Sequence, residues 1–402
     1  MATTATAPAP SVPIPRTYNI ATAYIDDLVT PDRAHRTAYI SGDERVTYAA
    51  LRDRINRAGN AFRALGVEME QRVALLLPNQ PELVAAFFGA ATIGAVAAPM
   101  SAAVTASEQI FRLNDSRARA LVAAEPLWQA PRPRRGELPF LKHILLVDGA
   151  LQAPDEHAWA ARTAAAASEL AAAPTTCDDM AFWLHTSGST GTPKWAVHLH
   201  RNVPYAEQGY VTPVIGLRPD DVRFASGPLF HAYPLGLATY FALRAGATVV
   251  LHRERPTPAR VFDTIARYRV TVFAAVPTLY AQLLHAAEVG EPADFNSVRL
   301  CLSAAEPLPA DPYRRFRARF GVEVLDGIGT AEALHVFMSN RLGDVRPGSS
   351  GRPVPGYEVG LLDDDGNEVS PGEEERHVLA RVFAEGGWIL PREGRLPMPQ
   401  DR

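Results

Sequence analysis

A short segment near the middle of the chain concentrates groups that bind phosphate. Residues 184–194 read LHTSGSTGTPK, in which hydroxyl side chains and glycines are interspersed before a closing lysine, Lys194. Glycines let backbone N–H groups approach oxygen atoms, hydroxyls donate further hydrogen bonds, and an ammonium group neutralises negative charge. The segment therefore predicts a loop that wraps a polyphosphate.

Two other interpretations of this segment fit less well. A flexible Ser/Gly linker requires neither the apolar residues that lead into the loop nor the Pro-Lys ending. A Walker-type loop ends in Gly-Lys-Ser or Gly-Lys-Thr, whereas Pro193, Lys194 and Trp195 stand here. We therefore expect a phosphate-binding loop of a different kind.

Lysine is scarce in this chain, and one of its two lysines closes the loop. Of the 40 basic residues only Lys142 and Lys194 are lysines, and the rest are arginines. A compact ammonium on a flexible stem suits a point contact to phosphate better than a planar guanidinium does. Lys142 belongs to no motif, and we expect it at the surface.

The loop resembles the phosphate-binding signature of the AMP-forming adenylate ligases, which include acyl- and aryl-CoA synthetases, firefly luciferases and the adenylation domains of peptide synthetases. Three further segments are similar to family motifs and follow in the family's order: PLFHAYPLG (228–236), SAAEPLP (303–309) and DGIGTAE (326–332). The continuation through residue 357 is most similar to the benzoate-CoA ligase branch. The resemblance covers roughly residues 18–374.

The resemblance implies a reaction in two steps. A carboxylate attacks the α-phosphate of ATP in the presence of Mg²⁺, which gives an acyl-adenylate and pyrophosphate, and the thiolate of coenzyme A then displaces AMP. The implied partners are thus ATP, Mg²⁺, coenzyme A and a small aromatic acid. Such chemistry depends on positioning and charge neutralisation more than on a protein nucleophile.

The resemblance also assigns roles to individual residues of this chain. His231 has two open interpretations, a structural histidine or a residue that gates the acid pocket. Four residues are implied in catalysis: Lys194, Thr330, Glu332 (also the Mg²⁺ ligand) and His231. The other implied sets are the phosphate site (Thr186, Ser187, Gly188, Ser189, Thr190, Gly191 and Lys194), the adenine and AMP site (Ala304, Ala305, Glu306, Pro307, Asp326, Gly327, Ile328 and Thr330) and the acid pocket (His231, Ala232, Tyr233, Ile328, Gly329 and His335).

Three single residues depart from the family pattern. Trp195 and Ala305 stand where the family has glycine, and Ala331 stands where a threonine hydroxyl would meet the α-phosphate. The neighbouring Thr330 compensates only if the backbone shifts. A lost hydrogen bond to a charged group costs about 1.5–3 kcal/mol, which predicts a reaction roughly ten- to a hundredfold slower.

Residues 375–402 resemble nothing in the family. The small C-terminal domain of the family, with its second lysine, has no counterpart in the sequence, which suggests a frameshift or a truncation. We therefore expect impaired activity unless a separate C-terminal domain acts in trans. The alternative is a catalytically inactive remnant that binds nucleotide or a partner protein. A dimer is compatible with either interpretation.

The overall composition excludes several classes of protein. A formal net charge of −4 over 402 residues gives no broad attraction to nucleic acid or to an anionic membrane. Two cysteines supply neither a disulfide framework nor a Cys-based zinc site. No run approaches the roughly 18 apolar residues of a membrane span, and the N-terminus lacks the features of a secretory signal. We expect a cytoplasmic protein.

The hydrophobic pattern predicts an α/β fold with parallel sheets. Thr47 is placed to cap a helix that runs through Leu65 with apolar residues at helical spacing, and residues 73–77 form the continuous apolar run of a doubly covered strand. With the resemblance, we expect the large N-terminal domain of the adenylate-forming enzymes. Its expected parts are a disordered lead-in (1–17), two parallel-type α/β subdomains (about 18–180 and 181–340), a β-rich region (341–374) and a poorly ordered tail (375–402).

Overall fold

Strands and helices alternate through most of the chain, as the apolar pattern predicts. The computed structural model describes residues 5–6, 12–186, 193–362 and 377–382. The strands in these residues are β1 (Ala5–Thr6), β2 (Thr37–Ser41), β3 (Glu44–Thr47), β4 (Arg72–Leu76), β5 (Val96–Pro99), β6 (Ala120–Ala123), β7 (His143–Leu146), β8 (Glu156–Ala158), β9 (Met180–Thr186), β10 (Lys194–Leu199), β11 (Val222–Ala225), β12 (Thr248–Leu251), β13 (Val272–Ala275), β14 (Leu300–Ser303), β15 (Val324–Gly329), β16 (Val336–Ser339), β17 (Arg352–Pro353), β18 (Tyr357–Leu362) and β19 (His377–Val382).

The helices connect the strands and cover the faces of the sheets. In the same residues they are α1 (Ile20–Tyr24), α2 (Tyr48–Ala64), α3 (Pro81–Thr92), α4 (Ala106–Asp115), α5 (Glu125–Trp128), α6 (Trp159–Ala164), α7 (Asn202–Ala206), α8 (Ala232–Ala238), α9 (Tyr240–Ala245), α10 (Pro258–Tyr268), α11 (Pro277–Glu288) and α12 (Ala310–Phe320). A π-helix (Glu207–Ile215) and two 3₁₀ turns (Asp26–Leu28 and Arg132–Glu137) complete the set. None of the helices in the described part of the chain is long and apolar enough to cross a membrane.

Local signals placed several elements correctly. The Thr47 hydroxyl accepts a hydrogen bond from the Ala50 N–H at 3.1 Å and caps α2, which ends one residue before Leu65. Strand β4 covers all but one residue of the predicted apolar run at 73–77, and its last four residues are buried. These predictions are confirmed because capping and apolar runs act within a few residues of the chain.

Two mixed sheets form the body of the molecule. The seven-stranded sheet has the order β10-β9-β5-β4-β6-β7-β8 and is parallel except for the β10–β9 pair. The nine-stranded sheet has the order β17-β16-β15-β14-β13-β11-β12-β2-β3 and is parallel from β15 to β2. Their facing sides share one apolar core, with Val73 and Leu75 of the first sheet and Val249 and Val272 of the second. The α/β prediction is confirmed.

The predicted division near residue 180 does not coincide with the division between the sheets. Strands β9 and β10 extend the first sheet beyond that residue, whereas β2 and β3, from the N-terminal region, join the second. The pairing that brings β2 across joins Tyr39 to Val249. Partners this far apart in sequence are chosen by tertiary packing, which a local pattern does not encode.

The structure describes part of each of the two ends for which disorder is expected. Strand β1 pairs with β18, the Cys177 N–H donates to the Arg16 carbonyl at 2.8 Å, and β19 pairs with β18 over six residues. Strand β18 thus lies between β1 and β19 in a three-stranded sheet. Residues 1–4, 7–11, 363–376 and 383–402 lie outside the described residues.

Candidate functional site

A cavity of about 1090 Å³ lies between the two sheets. Its wall includes the residues that end or follow five parallel strands: Leu77 (β4), Ala124 (β6), Ala225 (β11), Ala275 (β13) and Ala304 (β14). Ligands of α/β proteins bind outside the carboxyl ends of parallel strands. The cavity is therefore the candidate site.

Most of the residues predicted for the acid pocket line this cavity. His231, Ala232 and Tyr233 come from the start of α8, while Gly329 and His335 come from β15 and the turn after it. Ile328 is not among the lining residues and packs against the apolar core instead. The structure thus brings two motifs, almost a hundred residues apart in sequence, to one wall.

Asn79 holds the α8 segment in place across the two sheets. It follows β4 of the first sheet, donates to the Gly227 carbonyl at 2.9 Å and accepts from the Leu229 N–H at 2.8 Å. Both groups belong to the loop before α8 of the second sheet, and Asn79 also lines the cavity. Sequence reasoning missed this residue because nothing near residue 79 marks the loop that it binds.

His335 is a neutral, buried ring in the cavity wall. Its Nε2 lies 3.1 Å from the Tyr233 carbonyl and donates to it, and its ring packs against Tyr210, Tyr233 and Phe241. Burial lowers the pKa of His335 to about 3. A neutral ring that donates through Nε2 leaves Nδ1 as an acceptor.

The adenine segment contributes two lining residues, Ala304 and Ala305. Glu306 and Pro307 are exposed and lie outside the lining set, and the Glu306 carboxylate accepts from the Thr278 N–H at 3.2 Å and the Thr278 hydroxyl at 2.6 Å. Thr278, at the start of α11, lines the cavity and was missed by sequence reasoning. The hydrogen bonds between Thr278 and Glu306 therefore link the segment after β14 to the segment after β13.

Asp326 and Gly327 support the wall from behind. Asp326 is buried, accepts from the Leu308 N–H at 3.4 Å and has its pKa raised to about 7 by burial. A Cβ on Gly327 would lie 2.8 Å from the Met338 carbonyl oxygen, so only glycine fits between the paired strands β15 and β16. Neither residue belongs to the lining set.

Thr330 and Glu332 form one unit at the end of β15. The Thr330 hydroxyl accepts from the Glu332 N–H at 3.0 Å and donates to the Glu332 carboxylate. Thr330 lines the cavity, and the half-buried side chain of Glu332 contacts the Thr330 hydroxyl. In the described residues no group of three or more His, Cys, Asp or Glu side chains is arranged to hold a metal. A single carboxylate fits Mg²⁺, which takes its other ligands from phosphate and water.

Strands β9 and β10 hold together the two ends of the predicted phosphate loop. Thr186 and Lys194 are direct partners in the antiparallel register, with Lys194 exposed and Thr186 half-buried. Neither is among the lining residues. The predicted Ser187, Gly188, Ser189, Thr190 and Gly191 lie outside the described residues.

His185 lines the cavity directly before this loop. Trp195 is its cross-strand partner, and the two ring centroids lie 4.4 Å apart. Burial and the charge of Arg112 lower the pKa of His185 to about 4. Trp195, one of the departures noted above, therefore packs on a residue of the candidate site. Position beside the loop was the signal that could have identified His185.

Ala305 adopts a left-handed backbone conformation with φ of 78°. This conformation costs an L-residue other than glycine roughly 1–2 kcal/mol, which explains why glycine is the family residue here. We expect Ala305→Gly to raise the free energy of unfolding by about 0.5–1 kcal/mol. The glycine removes backbone strain from the folded state, and this gain exceeds the conformational entropy that it adds to the unfolded state. Urea unfolding measures this change. The control is Ala304→Gly, which relieves no such strain and should lower stability; a loss of stability in both variants would contradict the interpretation.

Comparison with known proteins agrees with this geometry. A family model described as AMP-binding enzyme matches residues 29–375. The chain is 41% identical over 362 residues to a benzoate–CoA ligase of Thauera aromatica. The alignment covers 90% of this chain and 68% of that protein. It is 37% identical to a 4-hydroxybenzoate–CoA/benzoate–CoA ligase of Rhodopseudomonas palustris, covering 92% of this chain and 68% of the relative.

Solved structures give the same result. The anthranilate CoA ligase AuaEII in complex with anthranoyl-AMP superposes with a TM-score of 0.87 at 35% identity, covering 92% of this chain and 70% of that one. A benzoate CoA ligase from Burkholderia xenovorans LB400 superposes with a TM-score of 0.82 at 38% identity, covering 91% and 72%. The order of the motifs, the shared fold and the family match lead to one conclusion: the chain belongs to the family of AMP-binding enzymes.

Proposed function

We propose that this protein activates an aromatic carboxylic acid with ATP to an acyl-adenylate and transfers the acyl group to coenzyme A. The observation that carries the proposal is that residues of the acid motif (His231, Ala232 and Tyr233) and of the adenine motif (Ala304 and Ala305) line one cavity. The reaction joins the carboxylate to the α-phosphate, so the two ligands have to share one space. Ligases for benzoate and hydroxybenzoate among the relatives support the substrate class.

The apolar and aromatic wall suits a flat ring. Tyr233 and His335 lie with their ring centroids 5.6 Å apart, and Phe241 packs edge-on against His335. Aromatic side chains bury a ring favourably in offset or edge-to-face arrangements. This wall would hold the ring of the acid, and the carboxylate of the acid would then face Thr330 and the adenine segment.

Two residues would neutralise the negative charge of the ATP phosphates. Lys194, at the end of the loop, would place its ammonium against the β- and γ-phosphates, and Glu332 would hold Mg²⁺ with its carboxylate. When bound, Mg²⁺ neutralises the phosphate charge that develops as pyrophosphate leaves. Thr330 would fix the Glu332 carboxylate, because the two side chains are already hydrogen-bonded. The carboxylate oxygen of the acid then forms its bond to the α-phosphorus while the bond to pyrophosphate breaks.

Gly236 tests the acid pocket. A Cβ at Gly236 would lie 2.7 Å from Phe241 Cε2 and 2.9 Å from His335 Cδ2, so a methyl group displaces the ring wall. We expect Gly236→Ala to raise the KM for the acid about tenfold, since overpacking a filled site costs about 1–3 kcal/mol. The KM for ATP should change much less. Steady-state kinetics with each substrate varied in turn measures both constants.

The matched control for this variant is Gly136→Ala. Apart from the adjoining chain, no atom of the described residues lies within 4 Å of a Cβ built at Gly136. Equal rises in the KM for acid and for ATP in Gly236→Ala would contradict the placement of the acid beside His335.

Pyrophosphate release tests the function itself. The assay contains ATP, Mg²⁺ and one of benzoate, the three hydroxybenzoates, 2-aminobenzoate or hexanoate, with and without coenzyme A. Because the chain aligns with about two thirds of its relatives' length, a parallel series adds the C-terminal part of a relative as a separate polypeptide. We expect release with aromatic acids and not with hexanoate. No release with any acid in either series would contradict the proposal.

A second function, nucleotide binding without turnover, is favoured by one observation. The Thr330 hydroxyl is already engaged with Glu332, so it does not replace the hydroxyl that Ala331 lacks. In that case ATP raises the melting temperature while pyrophosphate release stays at the level without enzyme.

A further inference from the structure

The wall of the cavity extends beyond the residues that the proposed function uses. Its volume of about 1090 Å³ exceeds the roughly 300–1,000 Å³ of sites that hold one small-molecule ligand. Acid and adenine residues line the part at the ends of β11, β14 and β15, whereas residues 252–256 line a second part at the end of β12. The acid and the adenine leave this second part free.

The strand order of the second sheet separates the two parts. The strands run β15-β14-β13-β11-β12, and neighbouring strands lie about 4.8 Å apart. The end of β12 therefore lies three strands, roughly 14 Å, from the end of β14, where the adenine segment begins. His231 and Tyr233 of the acid pocket follow β11, the direct neighbour of β12. A ligand at β12 thus adjoins the acid on the side away from the adenine.

The first sheet shows the same division. Asn79, after β4, donates to the Gly227 carbonyl after β11. The Glu82 carboxylate, at the start of α3, lies 3.9 Å from the Arg253 guanidinium, so β4 faces β11 and β12. Strand β9, which leads into the predicted phosphate loop, lies on one side of β4, and β6 and β7 lie on the other. The part of the cavity at β12 is therefore remote from that loop.

Two arginines with exposed guanidinium groups line the part at β12. The Arg253 side chain is 51% exposed, and its nearest carboxylate is that of Glu82. Arg255 is exposed as well, and its guanidinium makes no hydrogen bond or ion pair within the described residues. Both guanidinium groups are therefore available to an anionic ligand.

Two carboxylates also line this part, and neither pairs with the two arginines. Asp148 accepts from the Glu125 N–H at 2.8 Å, and the exposed Glu254 carboxylate lies 4.0 Å from His252 Nδ1. Leu127 adds apolar surface to the same part of the wall. The part at β12 thus combines apolar surface with cations that no carboxylate neutralises at close range.

Coenzyme A is the reactant of the proposed function that fits this combination. Its long, largely uncharged arm carries the thiol at one end and phosphate groups at the other. In the second step the thiolate forms a bond to the acyl carbon while the bond to AMP breaks, so the thiol has to approach from a side that AMP does not occupy. The part at β12 offers that side, and arginine binds phosphate through parallel N–H···O bonds.

We infer that Arg253 and Arg255 bind phosphate groups of coenzyme A and that the part of the cavity at β12 holds its arm. The inference rests on the proposed function and adds the residues that recognise its thiol substrate. The 3′-phosphate and the diphosphate present the same chemistry to a guanidinium, so the experiment includes coenzyme A with and without its 3′-phosphate.

The test compares two nucleotides in the same variants of the full chain. Isothermal titration calorimetry gives the Kd for coenzyme A and the Kd for ATP, and the measured quantity is the first divided by the second. We expect Arg253→Gln and Arg255→Gln each to raise this ratio about five- to tenfold, through the loss of a charge-assisted hydrogen bond. Arg255→Glu, which adds repulsion, should raise it further.

The outcomes separate the two arginines and the two kinds of phosphate. A ratio that is unchanged in one variant removes that arginine from the site, and a ratio that is unchanged in both overturns the inference. A smaller rise with 3′-dephospho-coenzyme A than with coenzyme A assigns the contact to the 3′-phosphate, whereas an equal rise assigns it to the diphosphate.

An arginine of α10 provides the matched control. Arg267 is 54% exposed, pairs with Asp43 at 2.9 Å and lies outside the lining set, so Arg267→Gln should leave the ratio unchanged. An equal rise in this variant would overturn the inference. If the wild-type chain releases no pyrophosphate with any acid, the proposed function fails while the ratio still tests the inference. Pyrophosphate release without any binding of coenzyme A would overturn the inference and leave the adenylation step standing.

Discussion

Replacing Lys194 by alanine is expected to reduce adenylation about ten- to a hundredfold, the effect of losing one hydrogen bond between charged groups worth about 1.5–3 kcal/mol. Lys194 is exposed at the first position of β10, directly opposite Thr186 at the end of β9. Its ammonium is therefore free to reach the phosphate that we propose the intervening loop to bind. Exchange of labelled pyrophosphate into ATP measures the first step in isolation.

The chain supplies its own control for this experiment. Lys142 is the only other lysine in the sequence, and its ammonium donates to the Pro139 carbonyl at 2.8 Å on the surface. Lys142→Ala removes the same charge away from the cavity and should exchange pyrophosphate at the wild-type rate. If the two variants lose the same activity, or Lys194→Ala loses none, the assignment of the phosphate loop is wrong.

Glu332→Gln is expected to reduce pyrophosphate release about a hundredfold and to raise the Mg²⁺ concentration needed for half-maximal rate, because a neutral amide is a weaker ligand for a hard cation than a carboxylate. The variant keeps the size of the side chain and the backbone hydrogen bond from Glu332 N–H to the Thr330 hydroxyl. Titration of Mg²⁺ at fixed ATP measures both effects.

A glutamate remote from the cavity provides the comparison. Glu137→Gln removes a carboxylate that is paired with Arg134 at the surface, and we expect an unchanged Mg²⁺ profile. A parallel loss of rate in Glu332→Gln with no change in the Mg²⁺ dependence would indicate that Glu332 supports Thr330 and does not bind the metal.

Several residues of the predicted acid and adenine motifs line the candidate cavity, whereas the contacts that hold its wall in place were not predicted. The acid and adenine segments end or follow parallel strands, and the carboxyl ends of such strands meet at one edge, so residues such as Tyr233 and Ala304 come to the same cavity. Asn79 and Thr278 were missed because each binds a distant loop, and a contact between distant residues leaves no local pattern.

Departures from the family pattern became interpretable only with the structure. The sequence shows alanine at position 305 and tryptophan at 195, but the left-handed backbone at Ala305 and the packing of Trp195 on His185 depend on three-dimensional context.

The formation of an aryl-adenylate tests the account most directly. The protein is incubated with Mg²⁺, ATP and a hydroxybenzoate labelled with ¹⁸O in its carboxylate, first without and then with coenzyme A, and the products are identified by mass spectrometry. We expect equal amounts of aryl-adenylate and pyrophosphate in the first stage, and AMP that carries one ¹⁸O together with an aryl-CoA thioester in the second. Formation of ADP and phosphate, or no acid-dependent product with any aromatic acid, would contradict it.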